Sequence, residues 1–212
     1  MIGDFNQTRY RGEGRVDKQT GGPGQKAFCV LELEARDRGA GFEFVNRIAG
    51  GAIPREYVPS IEKGVRSALG HGVLAGFPVV DIRVSVVDGS YHAVDSSDYA
   101  FAEAARLAFR DACEQAPMII IEPIGLVEVT APGGHVGAVI GDLNRRRGRI
   151  TGQDSLGDGT AVVQARVPLA ETFGFATDLR SLTQGRASFS ITVDGYDEVP
   201  SVISRRLVAQ PA

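Results

Sequence analysis

The stretch LVEVTAPGGHVGAVIGDLNRRRG, residues 126–148, decides how the C-terminal half folds. Leu126, Val127 and Val129 dominate its opening, and residues 126–130 read as a strand. Val136, Val139, Ile140 and Leu143 then fall at i, i+3, i+4 and i+7, which lines one face of a helix stopped by Gly148. Outward toward the C-terminus, 149–153 and 160–167 read as strands around a turn containing Asp158-Gly159. Residues 169–184 read as a helix with Gly185 as its C′ residue. Ala187, Phe189, Ile191 and Val193 alternate with Ser188, Ser190 and Thr192 in a last strand. The order βαββαβ predicts a ferredoxin-like sandwich over residues 123–212, with helices on one sheet face and the other face free.

Outward toward the N-terminus, Pro123 marks the boundary of a first domain, residues 1–122. Residues 118–121 read as a short buried strand. Before it, Asp95 or Ser96 caps a helix running to about Gln115, with Phe101, Ala104, Ala105, Ala108 and Ala112 inward. Residues 78–87 give the clearest strand of this half: Val80, Ile82, Val84 and Val86 alternate with Asp81, Arg83 and Ser85. A polar loop, 88–92, follows. Ile61, Val65, Ala68 and Leu69 predict a helix over 59–70, with Pro59 in its first turn. A second apolar stretch covers 41–45. In 27–34, Cys29, Leu31 and Leu33 oppose Glu32 and Glu34, the mark of a half-buried strand. Residues 1–13 read as an irregular lead-in, and a β-like pattern begins at Gly14 and breaks at the turn 20–25.

Composition bounds the function. The 212 residues carry 23 Lys+Arg against 26 Asp+Glu, a net charge of -3, with 43% hydrophobic residues. That is a soluble folded chain with room for two cores, and the balance excludes a histone-like binder. Local basic clusters survive such averaging. Three of the basic residues are Lys (Lys18, Lys26, Lys63), so the rest are Arg, which forks onto phosphates better. Cys29 and Cys113 cannot build a disulfide framework, and with three histidines they offer no zinc spacing. A reducing, cytoplasmic setting fits. The longest apolar run, 27–31, is too short to span a membrane, and residues 1–10 lack a signal-peptide core.

Three constellations could carry chemistry. The run 21–26 does not fit G-x-x-x-x-G-K-[ST], and no other segment does. Its glycines suit a hairpin tip, or a loop whose backbone approaches RNA closely. Asp88, Ser90, His92 and Asp95 suggest a hydrolytic triad, but neighbours on one loop seldom meet its geometry, and His92 reads better as a contact residue. Arg145, Arg146 and Arg147 either complement a helix end or grip phosphate.

Several motifs closely resemble bacterial elongation factor G: FEFVN (42–46), VLAGFPVVD (73–81), DGSYH (88–92), VDSS (94–97), GDLNRRRG (141–148) and FGFATDLRSLTQGR (173–186). The likeness runs in order from about residue 15 to residue 200 and concerns the family's fourth and fifth domains. It implies an α+β chain: a ribosomal-protein-like domain with a left-handed βαβ crossover, then the ferredoxin-like sandwich. It implies that GTP and Mg belong to an N-terminal P-loop domain with no counterpart here. This chain then has no catalytic residue, metal ligand or cofactor of its own. The fourth domain's tip loops work in the decoding region of the small ribosomal subunit, where they help move tRNA and mRNA. That marks Gly21, Gly22, Gly24, Gln25, Ser90, Tyr91 and His92, with His92 at the apex. The fifth domain contacts large-subunit rRNA, which marks Arg145, Arg146 and Arg147. The implied protein is a cytoplasmic monomer that binds ribosomes and no membrane. Pro23 stands where the family usually has Arg, a departure that fits a divergent recycling or ribosomal-protection paralogue. A free-standing RNA-binding module from the same ancestor is the other reading.

Overall fold

Cys29, Leu31 and Leu33 point into the first core, and the strand that carries them runs through the middle of a four-stranded sheet. The structure is a computed structural model that describes residues 8–18 and 25–209. The chain divides into two units, residues 1–119 with 201–212, and residues 120–200.

In the first unit the sheet is ordered β1-β2-β4-β3, from β1 (Arg9–Lys18), β2 (Gln25–Ala35), β3 (Glu43–Asn46) and β4 (Ile82–Tyr91). β1, β2 and β4 pair antiparallel, while β3 runs parallel to β4 across a crossover that contains α1 (Val58–His71). Ile61, Val65, Ala68 and Leu69 of α1 are buried, as their spacing predicts. α2 (Asp98–Gln115) presents Phe101, Ala104, Ala105, Ala108 and Ala112, all fully buried, to the sheet. Its N-cap is Ser97, whose hydroxyl accepts from the Ala100 amide at 3.2 Å, so the helix begins later than a cap at Asp95 or Ser96 would give.

Three expectations change here. β1 starts at Arg9, inside the predicted lead-in, because its inward residues Gly12 and Gly14 give no apolar alternation. A Cβ on Gly14 would stand 1.8 Å from the Ala104 carbonyl oxygen, and one on Gly12 2.1 Å from that of Ala108, so only glycine lets α2 lie this close. Residues 78–81 are not strand. Asp81 adopts φ +55, and its carboxylate accepts the amides of Gly39 (3.0 Å) and Gly41 (2.8 Å), turning the chain into β4. At the far end, residues 88–91 belong to β4 and pair with 27–30, so the expected polar loop shrinks to the turn at His92.

The second unit is a sheet ordered β6-β7-β5-β8, built from β5 (Ile121–Pro132), β6 (Arg149–Ser155), β7 (Thr160–Pro168) and β8 (Ser188–Glu198). With α3 (Val136–Arg145) and α4 (Phe175–Leu182) between the strands, this is the predicted ferredoxin-like arrangement. Val127, Val129, Val163, Ala165, Val139, Leu143, Phe175 and Leu179 make its core. Residues 118–120 form no strand, since pairing begins at Ile121. The helix predicted over 169–184 is broken: a short 3-10 turn, Leu169–Thr172, precedes Gly174, whose φ of +75 redirects the chain into α4.

Both helices end one residue earlier than Gly148 and Gly185 imply. The left-handed residue is Arg147 (φ +62) in one case and Gln184 (φ +55) in the other. The following glycine amide then reaches back to a carbonyl of the last turn: Gly148 to Leu143 and Gly185 to Arg180, each at 2.8 Å. This is the Schellman closure, with a non-glycine residue at C′. The C-terminal helix, α5 (Ser201–Ala209), buries no residue fully.

Candidate functional site

The β2–β4 ladder ends at the pair Ala27 and Tyr91, and what lies beyond it is held by side chains. Ser90 and Tyr91 are strand residues, and Tyr91 is half exposed. Gln25 opens β2 opposite Lys18, while Gly21, Gly22 and Gly24 lie outside the described residues. His92 forms the turn itself. Its amide donates to Ser96 Oγ at 2.8 Å, and its carbonyl accepts the Ser96 amide at 3.1 Å. Its Nδ1 faces the amides of Val94 (3.4 Å) and Asp95 (3.2 Å) and lies 3.2 Å from Asp95 Oδ2. All these side-chain contacts gather on one nitrogen of the half-exposed ring. Among the described residues no hydrogen bond joins Ser90 to His92, so the hydrolytic arrangement is not assembled. Ser90, Tyr91, His92 and Gln25 do converge on one end of the sheet.

The arginine run of the second unit is oriented differently. Arg145 is 70% exposed and ion-paired with Asp142 on its own helix. Arg146 is 11% exposed. Its Nε donates to Asp142 at 2.8 Å, and its Nη1 donates to the carbonyls of Glu171 (2.7 Å) and Phe173 (3.0 Å). Its Nη2 meets Asp178, and the guanidinium lies 5.4 Å from the Phe175 ring centroid. One side chain thus joins the ends of α3 and α4 and the turn between β7 and α4. Arg147 pairs with Glu122 and Glu171. The hydrogen bonds it donates to Glu122, and then to Glu171, hold its guanidinium more firmly charged than usual. Of the three arginines marked for rRNA, only Arg145 is mostly exposed, although its guanidinium is still paired with the buried Asp142.

Asp142, Glu122, Glu171 and Asp178 were not singled out from the sequence. Asp142 could have been, since it precedes Arg145 and Arg146 at i+3 and i+4 on one helix. The others come from distant elements and leave no local signal. Burial pushes the Cys29 and Cys113 thiols up to about 12, so both remain protonated hydrophobes. Among the described residues no group of three or more His, Cys, Asp or Glu is placed to hold a metal. No described helix is long and apolar enough to cross a membrane.

Both units find counterparts among known proteins. The family model for elongation factor G, domain IV, matches residues 5–117, and that for the elongation factor G C-terminus matches residues 119–207. The chain belongs to the elongation factor G family. It is 55% identical over 199 residues to the elongation factor G of Aquifex pyrophilus, a match covering 94% of this chain and 28% of that protein. A crystal structure from Thermus thermophilus is similar at a TM-score of 0.82 and 42% identity, covering 95% of this chain and 30% of that one. The chain therefore spans under a third of the length of either relative. The mixed α+β, two-unit layout is that of family domains IV and V.

Proposed function

We propose that this chain is the ribosome-contacting, C-terminal part of an elongation factor G-like GTPase, and that it promotes movement of tRNA and mRNA without catalysing a reaction itself. The observation that carries this reading is the in-order match of both units to the family's domain IV and C-terminal models, with a hydrogen-bonded, outward-facing His92 turn at the end of the first sheet. In this reading His92, with Ser90, Tyr91, Gln25 and the glycine-rich turn, works in the decoding region of the small subunit. The second unit meets large-subunit rRNA through Arg145, while Arg146 and Arg147 hold the shape of that surface. GTP and Mg are bound by another part of the parent protein, which acts in the cytoplasm as a monomer.

Ribosome binding tests the reading directly. The chain is expected to bind ribosomes at low salt, with an affinity that falls as salt rises, in proportion to the phosphates neutralised. Arg145→Ala is expected to reduce the salt slope by about one. In a full-length elongation factor G, the change equivalent to His92→Ala is expected to slow translocation and leave GTP hydrolysis near normal. No affinity for ribosomes at low salt, or equal loss of both activities, overturns it.

A further inference from the structure

At the end of the first sheet one hydroxyl performs two jobs. Ser96 Oγ donates to the Lys26 carbonyl at 2.6 Å and accepts from the His92 amide at 2.8 Å. Lys26 lies near the start of β2, and His92 begins the turn after β4, so this hydroxyl bridges the ends of the two strands where the β2–β4 ladder has stopped. Around it the backbone closes the same bridge, with the Lys26 amide donating to the Asp95 carbonyl at 2.8 Å. The Ser96 carbonyl in turn accepts from the Tyr57 hydroxyl at 3.5 Å, and the Tyr57 ring stacks on the buried Phe101 at 4.7 Å between centroids. The His92 turn is thereby tied through Ser96 to the core of the unit.

We propose that Ser96 is the positioning residue of this end of the first unit: its hydroxyl sets the spacing between the start of β2, at Lys26, and His92. Only a side chain that both donates and accepts at this point fills the role. Alanine and valine do neither, so they remove the bond from the His92 amide and the bond to the Lys26 carbonyl together. Threonine keeps the hydroxyl and differs from valine by that group alone. The helix cap at Ser97 and the α2 core are separate from the bridge, so loss of the bridge does not require loss of the fold. The inference rests on the proposed role of His92 as the contact residue, and it adds the residue that holds His92 in place.

The decisive pair is Ser96→Val against Ser96→Thr, made both in this chain and in a full-length elongation factor G. In the chain, amide hydrogen exchange at His92 is expected to quicken about tenfold in the valine variant and to stay near the starting value in the threonine variant. The Phe101 amide, which donates to Ser97 O at 3.0 Å within α2, serves as the folding control and is expected to be unchanged in both. In the full-length factor, valine is expected to slow translocation about tenfold at unchanged GTP hydrolysis, and threonine to restore it. Equal exchange at His92 in the two variants overturns the proposal, because the hydroxyl then holds nothing. So does a difference in exchange with no difference in translocation, provided that His92→Ala itself slows translocation. If His92→Ala has no effect either, it is the reading of the site that fails, and the positioning role fails with it.

Discussion

In the first unit α2 lies against β1 so closely that an Ala104 carbonyl oxygen would touch any side chain at Gly14, and the packing there is apolar. In the second unit α3 and α4 meet around Arg146, whose guanidinium is held by two carboxylates, two carbonyls and an aromatic face. Both are α+β layers over a hydrophobic core, yet one is fastened by removing side chains and the other by a single large charged one. The contrast teaches where basic residues are free for a partner. A cluster read as three cations contributes one largely exposed guanidinium, because the architecture around it holds all three arginines and partly buries two of them.

The contrast breaks most visibly at its charged side. Arg146→Ala leaves Asp142, almost fully buried, with only the exposed Arg145 as partner, and is expected to cost the second unit about 3–5 kcal/mol. Urea unfolding followed by residue-resolved amide exchange should show this loss confined to 120–200. A first unit that weakens equally would mean the two do not fold separately. Next in size is Gly14→Ala, expected to destabilise the first unit by about 1–3 kcal/mol through overpacking against backbone that has no rotamer to change. A neutral result would show that the close approach is not needed.

A smaller change sharpens the account of the helix ends. Gln184→Gly relieves a left-handed residue and is expected to stabilise the second unit by about 0.5–1 kcal/mol, read as a rise in the urea midpoint. Arg147→Gly gains the same relief but loses Glu122 and Glu171, so no net gain is expected there. The least effect is expected from Cys29 and Cys113 near neutrality. Their folded pKa values, raised by burial from 9.0 to about 12, favour the protonated thiol, so the stability they contribute is complete below pH 9 and is lost as pH rises toward 12. At pH 8 a thiol alkylating reagent should leave the folded chain unmodified. Labelling of Cys29 without unfolding would contradict its burial in the first core.

The parts of the fold that sequence alone disclosed are those whose inward residues are apolar and periodic: β2, α1, α2 and α3 with their Ile, Val, Leu and Ala faces. The first half of β1 stayed hidden because its inward positions Gly12 and Gly14 pack by absence, while the β-like pattern became readable only from Gly14 on. The polar residues 88–91 read as loop, although their backbone completes a ladder with 27–30, and ladder hydrogen bonds are indifferent to side-chain polarity. Val79 and Val80 imitated a strand start, but the turn at Asp81 depends on Gly39 and Gly41 from forty residues away. His92 was singled out from its local setting alone, and the structure places it at the turn after β4. Ser96 was read as a cap, since its partner Lys26 lies seventy residues earlier.

The close seating of α2 on β1 also has a mechanical meaning. Long side chains accommodate shear by changing rotamer, and a helix resting on them can slide. A carbonyl oxygen pressed onto a glycine Cα has no such freedom, and the side chains of Asp111 and Gln115 clip the same strand through the Glu13 amide and the Arg11 carbonyl, each at 2.9 Å. Helix and strand therefore bend as one beam. On the proposed reading, a push applied at the His92 end would be carried by helix and strand together instead of being spent in sliding one over the other.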